Sequence, residues 1–280
     1  MIVARKISEL NKFLKRRVQG ETVGFVPTMG DLHEGHLSLF RRSKRENDWT
    51  AASIFVNPAQ FNQREDFLKY HRNEKEDLKK ARREGVDIVF LPSEKEFYPE
   101  GFQTWVIVDD LSQELCGPFR PGHFKGVATV VAKLLNLVQP TRAYFGLKDY
   151  QQFKIIERLV RDLNLPVQVV PCPTIREKDG LALSSRNRRL SPAERERAGR
   201  IYPALKTAAG EIKSRKNAGP RGLARIFSKR LRLEKRDRLE YFKVVHPQTL
   251  LPLKTVRSPA LLAAAVWIGK TRLIDNLIME

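Results

Sequence analysis

Through the first 175 residues, short runs rich in β-branched and aromatic side chains alternate with longer amphipathic stretches. Runs of this kind predict strands at 22–27, 51–56, 86–91, 104–108, 143–145 and 167–170. The 3.6-residue spacing of apolar positions predicts helices at 34–47, 65–84, 125–138 and 150–164. Ile2, Val3, Ile7, Leu10, Phe13 and Leu14 read as an amphipathic helix rather than a signal peptide. Alternation of strand and helix predicts an α/β fold with a parallel, doubly wound sheet covered on both faces, binding its ligands at the carboxyl ends of the strands. After Arg176 the texture changes. Ser191-Pro192-Ala193-Glu194 is a good helix start, because serine caps and proline suits the first turn. Basic helices follow, then strands at 240–245, 260–267 and 272–278. Two domains are expected, 1–175 and a smaller α+β domain, 176–280.

Composition narrows the class. The chain has 280 residues, 41% hydrophobic and 30% charged, with two cysteines, Cys116 and Cys172. Such a length buries a core without staples, and two cysteines make no disulfide scaffold, so a reducing, cytoplasmic setting is expected. The longest apolar run, 260–268, is far short of the roughly 20 residues that span a bilayer, so no membrane partner is expected.

The net charge is +20, of which residues 1–175 carry +5 and residues 176–280 carry +15. A basic C-terminal third implies polyanionic company, whether nucleic acid, an acidic membrane surface or a phosphorylated substrate, or simply a solvated surface. Much of it falls in 186–200 and 213–238, and Phe227 is the only aromatic residue between Pro203 and Leu239. The interleaving of basic and aromatic residues typical of a single-strand groove is missing, so no specific nucleic-acid partner is expected.

The sharpest chemical signal is Pro27-Thr28-Met29-Gly30-Asp31-Leu32-His33-Glu34-Gly35-His36. A strand runs into a glycine-containing turn, and His-x-Gly-His opens a helix. A helix N-terminus offers free N–H groups and a positive dipole end, which favour phosphate. Gly35 removes a side chain where a ligand must approach the backbone. His33 and His36 project to one side and can donate to phosphoryl oxygens. The same spacing could hold zinc, but no third ligand signature follows, and no metal site is expected. Gln60 lies just past the second strand, where an amide suits the hydroxyls and carboxylate of a small polar substrate. Lys148 and Asp149 follow the strand at 143–145: a lysine there suits phosphates and an aspartate suits ribose hydroxyls, or the two form an ordinary surface ion pair. Ser184, Ser185 and Arg186 offer two hydroxyls and a guanidinium for phosphate oxygens. Arg120 and His123 precede a helix whose stripe of Val127, Val130, Val131, Leu134, Leu135 and Val138 is core packing, and either could reach a substrate carboxylate or phosphate.

His-x-Gly-His after the first strand resembles the signature of the nucleotidyltransferase superfamily. A narrower resemblance runs along almost the whole chain. Pro27-Thr28-Met29-Gly30, Asn57-Pro58-x-Gln60-Phe61, Leu115-Cys116-Gly117, Arg120-Pro121-Gly122-His123-Phe124, Gly146-x-Lys148-Asp149-Tyr150-Gln151-Gln152, Leu183-Ser184-Ser185-Arg186-Asn187 and Thr271-Arg272-Leu273-Ile274-Asp275-Asn276 look like the pantothenate synthetase (pantoate–β-alanine ligase) family, in that family's order. The resemblance implies a Rossmann-like nucleotide- and pantoate-binding domain and a basic lid. It implies an ATP-dependent ligase joining (R)-pantoate to β-alanine through a pantoyl adenylate, with release of AMP and pyrophosphate, accompanied by Mg2+, in a cytoplasmic homodimer. ATP would meet Met29, Gly30, His33, Gly35, His36, Gly146, Leu147, Lys148, Asp149, Ile175, Leu183, Ser184, Ser185 and Arg186. Gln60 and Gln152 would hold pantoate, with β-alanine arriving near Gln60. His36, His33, Lys148, Ser184, Ser185 and Arg186 are the expected catalytic groups. Leu147 stands where the family has Glu, His71 where it has proline, His246 where it has an acidic residue, and Asn62-Gln63 where it has Gly-Pro. Two rivals are another adenylyl-transferring enzyme, which should lack Asn57-Pro58-x-Gln60-Phe61, and a nucleic-acid binding protein using the basic third.

Overall fold

The computed structural model describes residues 1–62, 64–214, 219–256 and 258–279. The chain forms two compact units, one of residues 1–112, 119–147 and 152–173, the other of 113–118, 148–151 and 174–280.

The first unit is built on a six-stranded parallel sheet of β1 (Ile2–Ala4), β2 (Val23–Thr28), β3 (Trp49–Ile54), β4 (Ile88–Phe90), β5 (Arg142–Gly146) and β6 (Gln168–Cys172), in the order β1-β4-β3-β2-β5-β6. The chain moves outward from β2 through β3 to β4, then returns to β5 on the other side. The switch point therefore lies between β2 and β5, and folds of this kind bind their ligands there, at the carboxyl ends of the strands. Helices Glu34–Glu46 and Glu74–Arg83 close one face over Val26, Ala52, Ile54, Val89 and Tyr144. Helix His123–Val138 covers the opposite face with the valine and leucine stripe expected for it, all six residues buried. Strand residues buried on both sides explain why these runs are continuously apolar rather than alternating.

Three expectations differ from the structure. Residues 104–108 form no strand and pair with no described strand. The alternating pattern is satisfied against helix His123–Val138 instead: the Val106 N–H donates to Thr129 Oγ1 at 3.0 Å, and Lys125 Nζ lies 4.6 Å from the Trp105 ring centroid. The stretch 65–84 is two helices, Arg64–Leu68 and Glu74–Arg83, because Asn73 caps the second through the Glu76 N–H. The amphipathic N-terminal helix is confined to Ile7–Leu14, since Ile2–Ala4 is the edge strand β1, in register with β4.

The second unit carries a three-stranded antiparallel sheet, β7 (Arg238–Val245), β8 (Ala260–Ile268) and β9 (Thr271–Met279), with β8 central. The alanine-rich β8 is buried at eight of nine positions, and its small side chains let helices Ile201–Ser214 and Pro220–Leu231 pack on Leu262, Ala264 and Val266. Ser191 caps helix Pro192–Ala198 in a capping box with Glu194, with Pro192 in the first turn, as the local sequence predicts.

Candidate active site

In the first unit the chain leaves β2 through Met29, Gly30 and Asp31 and enters helix Glu34–Glu46 at His33. The turn is left-handed at two successive residues, Gly30 (φ 83°) and Asp31 (φ 50°). Thr28 starts it: its hydroxyl donates to the Ser53 carbonyl at 2.8 Å and accepts the Gly30 N–H at 3.2 Å. Asp77, from helix Glu74–Arg83, holds the far side of the turn. Its two carboxylate oxygens accept the N–H groups of Asp31 (2.9 Å) and Leu32 (2.8 Å), and Lys80 Nζ donates to the Leu32 carbonyl at 2.6 Å. Burial pushes the Asp77 carboxyl above the ordinary carboxylate range, against the two backbone bonds that favour its ionised form. His71 Nδ1 stands 3.2 Å from Asp31 Oδ1, so the histidine that replaces the family's proline ties down the same turn.

The two histidines cap the helix. His33 Nδ1 accepts the Gly35 N–H at 3.2 Å, and His36 Nδ1 accepts the His33 N–H at 3.3 Å. The rings lie 4.2 Å apart, centroid to centroid. Each Nδ1 thus supplies a lone pair, which leaves Nε2 as the proton-bearing donor of each neutral ring. A side chain at Gly35 would place its Cβ 2.9 Å from His33 Cε1. The glycine makes room for the His33 ring itself, a nearer reason than the ligand approach expected for it.

Gln60 sits at the carboxyl end of β3, in the single turn Pro58–Gln60, capped by Asn57. Asn57 Nδ2 donates both to Gln60 Oε1 (3.1 Å) and to the Gly126 carbonyl (3.0 Å), while the Tyr98 hydroxyl, pushed up by burial, donates to Asn57 Oδ1 at 2.9 Å. Gln60 Nε2 lies 2.8 Å from Met29 Sδ, so the Gln60 and Met29 motifs meet. At Gly126 a Cβ would stand 2.3 Å from the Ala59 carbonyl oxygen; only glycine lets helix His123–Val138 approach this turn. His123 Nδ1 faces the Gln60 carbonyl at 2.8 Å and its Nε2 faces Arg120 Nη1 at 2.8 Å. Both ring nitrogens are thus taken up, and His123 supports Gln60 rather than offering an unengaged donor to a ligand. Asn62 Nδ2 bonds the Pro121 carbonyl, and Gln63 lies outside the described residues. Gly146 ends β5 beside open space, with Leu147 next in the chain. Gln152 lies in the first turn of helix Tyr150–Asp162, half-buried.

In the second unit, Lys148 and Asp149 belong to the short turn Leu147–Asp149. Lys148 Nζ is 3.6 Å from Asp149 Oδ1, the ion pair that the sequence left open, and Asn276 Nδ2 donates to the Lys148 carbonyl at 2.9 Å. The backbone then forms a small hairpin in which the Leu183 N–H donates to the Ile175 carbonyl at 3.0 Å and Arg176 bridges Ala182. Ser184, just past it, caps the short helix Ser185–Arg189 by accepting the Arg186 N–H at 3.3 Å. Asn187 Nδ2 reaches back to the Ala182 carbonyl and Glu177. Arg176 is the brace: two nitrogens grip the buried Asp275 carboxylate at 2.7 and 2.9 Å, and its guanidinium lies 3.5 Å over the Tyr202 ring centroid. His246, in place of an acidic residue, accepts the Gln248 N–H at 3.2 Å and caps a turn.

Sequence reasoning missed Asp77, Lys80 and Arg176. Asp77 lies 46 residues beyond Asp31, and no local pattern ties it to that turn. Asp275 stood inside a motif but was not matched to Arg176. Among the described residues no group of three or more His, Cys, Asp and Glu side chains is placed to hold a metal ion, and no helix is long and apolar enough to cross a membrane.

A parallel, doubly wound sheet with a helix-capping histidine pair at its switch point, joined in one chain to a basic antiparallel unit, has close counterparts among solved enzymes. Pantothenate synthetase from Thermus thermophilus superposes with a TM-score of 0.91, at 46% identity over 99% of each chain. The pantoate–β-alanine ligase of Francisella tularensis, solved in complex with beta-gamma ATP and β-alanine, gives 0.82 at 35% identity, over 99% of this chain and 97% of that one. Among sequence relatives, the pantothenate synthetase of Caldicellulosiruptor saccharolyticus is 49% identical over the full length of both chains, and that of a Sulfurihydrogenibium species is 52% identical over 94% of each. The family model for pantoate–β-alanine ligase matches residues 2–278. The chain belongs to the pantoate–β-alanine ligase family, as its motifs imply.

Proposed function

We propose that the chain condenses (R)-pantoate with β-alanine in two steps at the expense of ATP. A pantoate carboxylate oxygen attacks the α-phosphorus, the bond to the bridging oxygen breaks, and pyrophosphate leaves. The β-alanine amine then attacks the acyl carbon of the adenylate, loses a proton, and AMP leaves. The observation that carries the reading is the histidine pair: two capping imidazoles with Nε2 as donor, at a helix N-terminus beside the Gln60 turn.

Such chemistry needs alignment of two anions and neutral surroundings for the charge developing on phosphate oxygens. His36 and His33 supply donors from a dipole's positive end, with His36 as proton donor. Lys148, Ser185 and Arg186 add charge and donors. Ser184 accepts a backbone N–H and still holds a hydroxyl proton to give. Met29, Gly30, Gly35, Gly146, Leu147, Asp149, Ile175 and Leu183 frame the nucleotide, largely through backbone, and Gln60 and Gln152 hold pantoate. The family implies magnesium with ATP, an ion carried mostly by phosphate oxygens and water. The residues from 176 onward act as a lid whose positive charge concentrates anionic substrates; a kcat/KM indifferent to salt would count against that role. Both cysteines are free and buried, which suits a reducing cytoplasm. Exposed Trp105 and Ile107 on the unpaired segment 104–108 offer apolar surface for a homodimer, which sedimentation of the intact chain tests.

The deciding experiment measures AMP and pantothenate from ATP, magnesium, pantoate and β-alanine, omitting each acid in turn. Stoichiometric products only with both acids present support the reading. ATP binding without turnover would redirect the search to other adenylyl acceptors.

A further inference from the structure

Residues 30–32 form a small anion-binding concavity. Two successive left-handed residues turn the N–H groups of Asp31 and Leu32 toward a common point. Such nests often bind phosphate. Here the protein fills the nest with the carboxylate of Asp77, 2% exposed, which takes one N–H on each oxygen. The fit is close: a Cβ at Gly30 would stand 2.9 Å from Asp77 Oδ2. The next residue in the chain is His33, whose N–H and ring open the histidine cap. The charged and titratable groups facing Asp77 are Asp31, in turn beside His71, and Lys80, whose ammonium donates to the Leu32 carbonyl.

We infer that Asp77 is a positioning residue for the His33–His36 pair: its carboxylate sets the direction in which the chain enters the helix, and so where the two Nε2 donors stand. The inference rests on the proposed adenylate chemistry only for its kinetic consequence. The nest is occupied from within, so a phosphate is directed past it to the histidines. Neutralising Asp77 replaces one acceptor with an amide N–H that opposes a backbone N–H.

The test compares Asp77→Asn with Asp87→Asn. Asp87 is a matched carboxylate elsewhere in the first unit, accepting the Thr50 N–H at 2.8 Å and paired with Lys44. Misplacing catalytic groups by about 1 Å costs on the order of a hundredfold in rate, so Asp77→Asn is expected to lower kcat by about tenfold to a hundredfold, with the β-alanine KM held within about twofold. Nitrogen-15 spectra of the imidazoles should show two rings protonated at Nε2 in the parent and mixed tautomers in Asp77→Asn. Asp87→Asn should lower the melting temperature but leave kcat and both rings as they were. Should Asp77→Asn fail to fold, Lys80→Met removes the other half of the clamp and should shift the same two readouts in the same direction by a few-fold. Unchanged tautomers and rate in the Asp77 or Lys80 variant, or an equal rate loss in Asp87→Asn, would overturn the inference. A parent enzyme that makes no AMP would sink the functional reading alone, because the imidazole spectra still decide whether Asp77 orders the histidines.

Discussion

The two units hold their chemistry in place by different physics. In the six-stranded unit the functional turns are fixed by backbone N–H and carbonyl groups: Asp77 grips two N–H groups, His33 and His36 cap a helix, and His123 faces the Gln60 carbonyl. In the other unit bonds to backbone groups at Lys148, Leu183 and Ser184 are joined by arginine on carboxylate. Arg176 holds Asp275, Arg195 holds Glu177 and Asp179, Arg197 holds Asp237, and Arg272 holds Glu240. These four arginines are matched by five carboxylates, so the net positive charge of residues 176–280 is carried by other groups. Part of it stays outward: Arg221, Arg225 and Lys229 are exposed along helix Pro220–Leu231, which contains no acidic residue. A parallel sheet supplies strand ends and helix starts whose orphan N–H and C=O groups serve as fixings. A small antiparallel sheet has fewer, and draws on side-chain forks as well.

The largest expected effect separates chemistry from scaffolding in the first unit. His36→Ala removes a donor argued to act on charge developing in the transition state, so AMP formation should fall by about a hundredfold to a thousandfold, or ~3–4 kcal/mol. Because the cap bond is lost too, about 1 kcal/mol of stability should go with it in urea unfolding. A rate within a few-fold of the parent would remove His36 from the mechanism. Next is the brace of the second unit. Asp275→Ala leaves the Arg176 guanidinium without its bidentate partner, and breaking a buried pair this way costs about 3–5 kcal/mol. Denaturant midpoints measure it, and a loss below about 1 kcal/mol would class the pair with surface ion pairs.

Gly126→Ala tests the close approach on the other side of the comparison. A methyl group 2.3 Å from the Ala59 carbonyl oxygen has to move the Gln60 turn, at a cost of about 1–3 kcal/mol. If Gln60 holds pantoate, the pantoate KM rises while the ATP KM does not. An unchanged pantoate KM would detach the turn from that substrate.

The smallest effect is on pH. Bonds from Arg195 hold the Asp179 carboxyl below its ordinary range. Burial pushes Asp237 and Glu240 up, but the bonds from Arg197 and from Arg272, with help from Gly269 and Trp267, outweigh it and bring both below that range. Carboxyls with depressed folded-state values stabilise fully above the ordinary carboxylate range, and the gain is lost as pH falls through the depressed values. Asp77 works the other way: its raised value makes the ionised form a cost at neutral pH that is relieved on acidification through that value. Trp267 donates to Glu240 and reports on the second unit, so its fluorescence should change as pH falls through the depressed Glu240 value, and Arg272→Met, which removes the bond that holds that value down, should move the change to higher pH. Coincident transitions in parent and variant would erase that role for Arg272.

The local sequence announces most of the elements and the motifs from which the candidate site is proposed, but not Asp77, Lys80 or Arg176, which brace them. Strands β2, β3, β5 and β6 were visible as apolar runs, and the cap at Ser191 as Ser-Pro-x-Glu. Segment 104–108 differs from the strand its sequence predicts because β-branched and aromatic residues report a local preference, and not whether another strand is there to bond them. The stretch 65–84 predicts one long helix rather than two because an asparagine cap inside an amphipathic stretch changes periodicity little.

By itself the amino-acid sequence determined the order of strands and helices, the family, and which histidines, glutamines, lysine and serines are grouped in motifs, because each of those depends on residues close together in the chain. Only the tertiary structure decided how those groups are held. That Asp77 closes the turn before His33, that Gly35 clears space for an imidazole and Gly126 for a neighbouring turn, and that Arg176 is neutralised by Asp275 are matters of contact between segments 46 to 99 residues apart or of a few tenths of an ångström. A hydrogen bond is decided by distance and direction in space, and separation along the chain carries almost no information about either.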